Sequence, residues 1–347
     1  MVTLAIDAMG GDFGPPVTVP AAIKSAVNHS ELSVIFFGES EAIRQAADPS
    51  LLSFLGDRAS IRHCDLWVAM NDKPSSVLRH KTRSSMGLAL QAVADGEADA
   101  CISAGNTGAL MVLARSLIGM LDGVDRPAFM TAIPSLKDSG EQDYCYLLDL
   151  GANIDCSAEQ LVQFALMGDQ VARNVDGLAA PRVALLNVGQ EDVKGNEVVK
   201  TAAAQLREQG LLNYVGYVEG DHIFSDEADV IVCDGFVGNA ALKASEGLAR
   251  MINQKLHVAF SGNLYRRICG RLVRRLLRGV REELDPCQYN GASLLGLDAV
   301  VVKSHGNASE AAFRRAIERA MLELERNIGR KIKQAVQQFS EYKSRES

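Results

Sequence analysis

The sequence predicts an α/β protein in which a mostly parallel sheet is covered by helices on both faces. Two observations carry this prediction. Apolar, strand-like runs alternate along the chain with amphipathic, alanine-rich stretches, and this alternation is typical of right-handed βαβ units. Six of the runs also end directly in a short loop of Gly, Asn, Ser and Asp. With 347 residues the chain is long enough for one large unit with insertions or for two lobes.

The six runs predict strands because aliphatic residues fill them up to a polar loop. In chain order they are LAIDAMGGD (4–12), ACISAGNTGA (100–109), YLLDLGAN (146–153), VALLNVGQEDVKG (183–195), VIVCDGFVGN (230–239) and AVVVKSHGN (299–307). Further strands are predicted at 33–38, 60–64, 128–133 and 213–217. Open parallel sheets bind ligands beyond the carboxyl ends of their strands, so we expect the functional site among these six loops.

Helices are predicted where apolar residues recur every three or four positions between the strands. The segments are 15–28, 84–95, 107–120, 157–173, 196–209 and 239–258. The chain closes with one long amphipathic helix, or two, over 310–339. Packing against the sheet explains its apolar face, and a dimer contact is the alternative. We interpret 1–347 as a single α/β domain.

Residues 255–285 depart from this alternation and predict a helical, amphipathic insertion. Their core, NLYRRICGRLVRRLLRGV (263–280), has an apolar stripe surrounded by arginines. A basic amphipathic helix indicates a membrane-surface element or a site for an acidic partner; a solvated helix with its stripe in the core is the plain alternative. The candidate contact residues are Arg271, Leu272, Arg274, Arg275, Leu276 and Arg278.

Composition excludes several classes of function. A net charge of −7 argues against a nucleic-acid partner. The seven cysteines form no CxxC pair and several lie in apolar runs, which disfavours zinc and disulfides and indicates a reducing, cytoplasmic setting. The longest apolar segment, 108–121, is interrupted by Arg115 and is too short to cross a bilayer.

Two loops have the composition of an anion site. Gly10 and Gly11 permit a tight turn and a close approach of the backbone, as a phosphate loop or any sharp turn requires. SAGNTGA opens a predicted helix whose first amides, with Ser103, Asn106 and Thr107, can surround an anion. The alternative for this second loop is a helix cap alone.

Two other loops supply cations. Lys194 follows one predicted strand, and Lys303 ends another just before Ser304 and His305. Each lysine can neutralise phosphate or a developing oxyanion, or can be an ordinary surface lysine. His305 is a candidate acid or base. A second basic cluster, Arg79, His80, Lys81 and Arg83, can hold phosphate groups or form a solvated helix face.

Absent motifs narrow the chemistry further. The sequence has no GxxxxGK[ST], no GxSxG, no HExxH and no paired histidines at metal spacing. We therefore expect no metal and no cofactor, and an attacking group that comes from the substrate.

Seven motifs in fixed order extend the interpretation beyond a fold class. IDAMGGD, ACISAGNTGALM, DLGAN, LLNVGQEDVKGNE, VCDGFVGNAALK, YNGASLLG and VVKSHGNAS span nearly the whole chain and closely resemble the PlsX family of phosphate acyltransferases. The resemblance implies a Rossmann-like α/β/α sandwich related to phosphotransacetylases and to isocitrate and isopropylmalate dehydrogenases.

The resemblance also implies a reaction and its partners. A cytoplasmic homodimer would convert long-chain acyl-acyl carrier protein and inorganic phosphate into acyl phosphate. The product would pass to a membrane glycerol-3-phosphate acyltransferase at the start of phospholipid synthesis, which suits peripheral association with the membrane. The arginine-rich segment would then meet either the acidic carrier protein or anionic lipid.

The reaction needs little from the protein, because phosphate is already anionic and a thiol with a pKa of about 8.5 leaves readily. We expect Gly10, Gly11, Ser103, Asn106 and Thr107 to hold phosphate and Lys194 to neutralise it or the tetrahedral oxyanion. Asn239, Lys303, Ser304 and His305 would complete the pocket, with His305 donating a proton to the thiol. Asp12 would orient the loops or bind a substrate group.

Three other functions compete with this interpretation. A phosphotransacetylase-like enzyme using coenzyme A would share the fold and the chemistry. A dehydrogenase of the related fold is disfavoured because no dinucleotide fingerprint is present. A non-catalytic peripheral membrane scaffold for lipid synthesis would explain the arginine-rich segment but leaves six polar loops without a use.

Overall fold

A computed structural model describes residues 1–136, 142–260 and 290–346, whose strands form one mixed sheet. The strands are β1 (Val2–Asp7), β2 (Leu32–Gly38), β3 (Ala59–His63), β4 (Ala100–Ser103), β5 (Ala128–Leu136), β6 (Gln142–Leu148), β7 (Arg182–Leu186), β8 (Asn213–Val218), β9 (Val230–Val232), β10 (Ala292–Leu295) and β11 (Val300–Lys303). Their order across the sheet is β3-β2-β1-β4-β11-β10-β5-β6-β9-β7-β8.

The helices cover both faces of this sheet, as predicted. They are α1 (Pro15–Asn28), α2 (Ser40–Ala46), α3 (Pro49–Leu55), α4 (Pro74–His80), α5 (Ser85–Ala94), α6 (Thr107–Leu117), α7 (Ala158–Val175), α8 (Glu197–Gln209), α9 (Gly235–Phe260), α10 (Glu310–Glu325) and α11 (Ile328–Glu346). Side chains of α4, α5, α6 and α9 pack on one face. The opposite face is covered by α1, α2 and α10 over one half and by α7, α8 and α11 over the other.

The direction of the strands reverses in the middle of the sheet. Most neighbouring strands are parallel, but β10 is antiparallel to both β11 and β5, and β5 is antiparallel to β6. Strands β6, β9, β7 and β8 are parallel to one another. They therefore run opposite to β1, β4 and β11. The six polar loops therefore divide between the two edges of the sheet, three at each edge.

The amphipathic segment at the end of the chain forms two helices. A single residue of positive φ, Asn327 (φ 52°), separates α10 from α11. Ile328, Ile332, Val336 and Phe339 of α11 are buried in the core beneath β5 to β9, so this face packs within the chain. Among the residues that the structure describes, no helix is both long and apolar enough to cross a membrane.

The predicted insertion at 255–285 lies mostly outside the described residues. Helix α9 continues to Phe260, beyond the predicted end at 258. Arg271, Leu272, Arg274, Arg275, Leu276 and Arg278 lie outside the described residues, and their contact with carrier protein or lipid stays a prediction.

Candidate functional site

A row of polar side chains crosses three neighbouring strands at the edge where β1, β4 and β11 end. Asp7 is paired in register with Ser103, and Ser103 with Lys303. Residues in one register row have side chains on the same face of a sheet. Here that face is the one covered by α4, α5, α6 and α9, because Ala5, Cys101 and Val301, two residues earlier in each strand, belong to its core.

Asp7 is held in the row by two hydroxyl groups. Its Oδ1 accepts a hydrogen bond from Ser85 Oγ and its Oδ2 accepts one from Ser103 Oγ, both at 2.6 Å. The carboxyl is 1% exposed. Burial raises its pKa, while the two serine hydrogen bonds and the charge of Lys303 oppose the rise. Ser103 Oγ also accepts from the Gly105 amide at 3.0 Å, so this hydroxyl both donates and accepts within the protein.

Lys303 is a buried cation at the other end of the row. Its side chain is 8% exposed, and Nζ donates to the carbonyl oxygens of Ala104, at 3.3 Å, and of Ser304. Burial lowers the pKa of Lys303 to about 8, and the carboxylate of Asp7 acts in the opposite direction. At neutral pH the lysine is therefore mostly charged, although little of its side chain is exposed.

Close approach of three loops explains the glycines at this edge. A Cβ on Gly10 would lie 2.7 Å from Asp7 Oδ2 and 2.8 Å from the Gly105 nitrogen. Gly11 has φ of +89°, and a Cβ there would lie 2.8 Å from the Gly306 carbonyl oxygen. Side chains at either position would push apart the loops after β1, β4 and β11.

Two of the predicted site residues, Asn106 and Asp12, make structural contacts between loops. Asn106 is the N-cap of α6: its Oδ1 accepts from the Ala109 amide, and its Nδ2 donates to the Met70 and Asp72 carbonyls. Asp12 has an exposed side chain, and its amide donates to Gly306 at 2.7 Å. Asn106 thus fixes the loop before α4 to the start of α6.

A cavity of about 280 Å³ lies between the start of α6 and the first half of α9, over β11, β10 and β5. Its polar side chains are Thr107, Thr131, Asn239, Lys243, Lys303, Ser304 and His305. Its apolar side chains are Phe129, Leu150, Leu242 and Ala292. Two lysines and a histidine line it, and no carboxylate does so among the described residues.

The histidine and Ser304 are positioned by Asn290. The His305 amide donates to Asn290 Oδ1, and Asn290 Nδ2 donates to Ser304 Oγ, each at 2.9 Å. Burial lowers the pKa of His305, as do the charges of Lys303 and Lys243, while Glu246 opposes the change. Its imidazole is therefore neutral at pH 7 and favours hydrogen bonding over donation of a full proton.

Helix α9 brings Asn239 to the cavity from the opposite edge of the sheet. Asp149 holds the loop after β6 by accepting from the amides of Phe129, Ala152 and Asn153. The Gly235 amide donates to the Asn153 carbonyl at 2.8 Å. This docking sets the start of α9, so that Asn239, Leu242 and Lys243 all face the cavity.

Lys194 does not share this setting. It follows β7, whose carboxyl end lies at the edge opposite to that of Lys303. The side chain is half exposed and its Nζ is 3.6 Å from Glu191. Its role as a counter-charge stays a prediction.

Three residues at the site were not among those predicted from the sequence. Asp7, Asn290 and Lys243 were not predicted to contribute, although each belongs to a quoted motif. Lys243 stands one helical turn after Asn239, at the i,i+4 spacing that puts two side chains on one face. That spacing could have predicted that Lys243 shares the site with Asn239. Nothing in the local sequence indicates that Asp7 faces two serines distant in the chain.

Comparison with known proteins adds the family to this geometry. A family model described as "Fatty acid synthesis protein" matches residues 2–331. A phosphate acyltransferase of Halorhodospira halophila is 50% identical over 327 residues, which cover 94% of each chain. One of Alkalilimnicola ehrlichii is 50% identical over 343 residues, covering 97% of this chain and 96% of the other. This chain belongs to the PlsX family of phosphate acyltransferases. It is accordingly an acyltransferase of lipid synthesis.

Solved structures of low identity confirm the fold. A phosphotransacetylase from Streptococcus pyogenes is 17% identical with a TM-score of 0.56, covering 98% of this chain and 94% of the other. A branched-chain phosphotransacylase from Enterococcus faecalis V583, also 17% identical, has a TM-score of 0.55 and coverage of 93% and 100%. The predicted relation to the phosphotransacetylase fold is confirmed.

Proposed function

We propose that this acyltransferase moves the acyl group of a long-chain acyl-acyl carrier protein to inorganic phosphate, giving acyl phosphate and free carrier thiol. The observation that carries the proposal is the cavity between α6 and α9. Within the part of the chain that the structure describes, its polar lining includes two lysines and a histidine but no carboxylate, and its other side chains are apolar. Such a site suits an anion beside the first carbons of an acyl chain.

In this proposal phosphate binds against Lys303, with Thr107 and the amides at the start of α6 as further donors. The glycine turn at Gly10 and Gly11 and the buried Ser103 shape the loops around it. Asn106 contributes through the cap of α6 and Asp12 through its backbone contact with Gly306. Lys243 supplies a second positive charge from α9, although it also pairs with Glu246 at 3.0 Å.

A phosphate oxygen attacks the thioester carbonyl carbon, so that an O–C bond forms and the carbonyl oxygen becomes an oxyanion. Asn239 and the neutral His305 donate hydrogen bonds to the oxyanion or to the departing sulfur. Collapse of the tetrahedral intermediate breaks the C–S bond, and the thiolate takes its proton from solvent. Holding two reactants together supplies roughly 7 to 11 kcal/mol of such a barrier, and one oxyanion donor about 3.

An assay of the purified protein with acyl-acyl carrier protein and phosphate tests the proposal. We expect acyl phosphate and free thiol to appear in equal amounts, and only when phosphate is present. A coenzyme A thioester of the same acyl group tests the competing donor: a higher kcat/KM for that donor would favour the coenzyme A-dependent activity. Release of thiol without acyl phosphate would contradict phosphate as the acceptor.

We further propose that the enzyme works as a cytoplasmic homodimer that associates peripherally with the membrane and delivers acyl phosphate to a glycerol-3-phosphate acyltransferase there. The arginine-rich segment supports this proposal, because its positive charge would attract an acidic surface, either anionic lipid or carrier protein. Vesicle sedimentation of a variant with Leu272 and Leu276 changed to serine separates the two: lost sedimentation favours lipid, whereas a raised KM for carrier substrate with intact sedimentation favours the carrier.

A further inference from the structure

The segment from Lys73 to Arg83 concentrates positive charge in an acidic protein. Its sequence, KPSSVLRHKTR, carries four Lys or Arg side chains and one histidine but no acidic residue, whereas the whole chain has a net charge of −7. Arg79, His80 and Arg83 are exposed. The catalytic proposal uses none of these side chains, and a local charge opposite to that of the protein favours contact with an acidic partner.

Large apolar side chains lie beside this charge. Leu66 and Trp67, in the loop before α4, are 48% and 50% exposed, and Leu78 of α4 is 39% exposed. The loop lies against the basic segment, because the Trp67 carbonyl accepts from Lys81 Nζ at 3.2 Å. We call Leu66, Trp67, Leu78, Arg79, His80 and Arg83 the α4 surface.

The backbone beneath the α4 surface is firmly held. The Leu66 carbonyl accepts from the Ser85 amide at 2.8 Å. Cys64 Sγ donates to the Arg83 carbonyl at 3.1 Å. Lys81 forms an ion pair with Asp72 at 2.6 Å. A fixed backbone with exposed apolar and basic side chains is the arrangement of a preorganised docking site, in which little ordering is needed on binding.

The α4 surface continues directly to the cavity. Asn106, adjacent to the lining residue Thr107, donates to the Met70 and Asp72 carbonyls at 2.8 and 3.0 Å. At the start of α4, Pro74 packs so closely on Gly108, which also lines the cavity, that a Cβ there would lie 2.8 Å from Pro74 Cγ. A protein docked on the α4 surface would stand beside the cavity mouth.

We propose that the α4 surface docks the carrier protein that delivers the acyl thioester. This rests on the proposed function, which makes an acidic carrier protein the donor. Arg79 and Arg83 would face acidic side chains of the carrier, and Trp67 and Leu78 would cover apolar side chains between them. From there the carrier's flexible thioester arm would enter the cavity past the start of α6.

The first test compares two donors with the same acyl group, one attached to carrier protein and one to pantetheine alone. In Arg79→Glu/Arg83→Glu we expect KM for the carrier donor to rise about ten-fold at low ionic strength with kcat unchanged, because two favourable charge contacts become repulsive. KM for the pantetheine donor should not change. The effect should shrink towards 1 M salt, where the screening length is about 3 Å.

Arg326→Glu/Arg330→Glu is the matched control, since it makes the same change of net charge. Both arginines are exposed and follow the end of α10. Helix α10 runs back from the carboxyl end of β11, so they lie at the edge of the sheet opposite to Lys303. We expect the control to keep KM for both donors within two-fold of the wild type.

The second test uses Trp67, the single tryptophan of the chain. Titration with carrier protein whose thiol carries no acyl group should shift its half-exposed indole emission to shorter wavelength. Arg79→Glu/Arg83→Glu should weaken this binding by the same factor as it raises KM.

The outcomes separate the docking proposal from the proposed function. A wild-type protein that forms no acyl phosphate from any thioester refutes the proposed function. If the wild type is active, equal losses with both donors would assign the arginines to the phosphate site and overturn the docking proposal. Unchanged KM for the carrier donor, or an emission shift with anionic phospholipid vesicles but not with carrier protein, would also overturn it.

Discussion

The charge of Lys303 sets the strongest test of the site. This lysine is 8% exposed, burial lowers its pKa to about 8, and the proposed reaction uses its positive charge to hold phosphate. We predict that kcat/KM for phosphate falls above pH 8 and that Lys303→Arg removes this alkaline fall. Arginine stays charged throughout the accessible range, so its phosphate binding should not titrate.

The size of the effect follows from the pKa. With a pKa of about 8, Lys303 is roughly nine-tenths charged at pH 7 and one-tenth charged at pH 9, so kcat/KM should fall about ten-fold between them. Because kcat/KM reports the free enzyme, the midpoint should reflect the unliganded site. Initial rates at subsaturating phosphate, from pH 6.5 to 10, measure the profile.

Titration of Lys303 should also make the free energy of unfolding depend on pH. Lowering its pKa from 10.5 to about 8 corresponds to about 3 kcal/mol against the charged form in the folded state. Between these values the folded protein binds fewer protons than the unfolded chain, so this cost is present below pH 8 and disappears as pH rises to 10.5. The free energy of unfolding of wild type should therefore gain about 3 kcal/mol relative to Lys303→Met across this window.

Two results would refute this reasoning. An alkaline fall with the same midpoint in Lys303→Arg would assign the titration to phosphate, the thiol or another residue. A wild-type midpoint near 10.5 would mean that burial does not lower the pKa of Lys303. Urea unfolding at pH 8 and 10.5 measures the predicted change in the free energy of unfolding without any assay of activity.

Four further changes test the rest of the site. Gly10→Ala should raise KM for phosphate and lower the free energy of unfolding by about 1 to 3 kcal/mol, because its Cβ would lie 2.7 Å from a buried carboxylate oxygen. Gly220→Ala is the control: a Cβ at Gly220 would have no neighbouring atom within 4 Å, so neither quantity should change. Asn106→Ala removes a helix cap and should cost about 1 to 2 kcal/mol in urea unfolding, whereas a cost below 0.5 would contradict the capping role. His305→Gln keeps a hydrogen-bond donor, so its kcat should exceed that of His305→Ala at pH 7; equal values would favour proton transfer instead. Lys194→Ala should lower kcat at least ten-fold if this lysine reaches the oxyanion, and a near-normal rate would leave Lys303 and Lys243 as the cations of the site.

The sequence predicted the elements better than their directions. The apolar runs at 4–7, 100–103, 183–186, 230–232 and 300–303 are strands, and the helix over 107–120 exists as α6 to Leu117. Whether a strand is parallel to its neighbour is decided by which segments pair across the chain. A run such as YLLDL has the same local pattern in either direction, so the reversal at β10, β5 and β6 had no local signal.

The sequence named only part of the residues that line the candidate site. Five of the predicted site residues line one cavity, namely Thr107, Asn239, Lys303, Ser304 and His305. Strand β10 was not predicted, although its residues belong to the quoted motif YNGASLLG. Lys194 follows β7 and Lys303 ends β11, and these two lysines lie at opposite edges of the sheet because three antiparallel pairings separate their strands.

The row formed by Asp7, Ser103 and Lys303 explains how a largely buried lysine keeps its charge. Burial alone favours the neutral amine, and the charge of Asp7 favours the ammonium. Both carboxylate oxygens of Asp7 accept hydrogen bonds from serine hydroxyl groups. The carboxylate is therefore bound within the protein and does not face the phosphate. Asp7→Asn should therefore move the alkaline midpoint of kcat/KM to lower pH, while Lys303→Arg in the same background should again abolish it. A structural role of Asp7 alone would lower the rate without moving the midpoint, so the pH profile distinguishes the two.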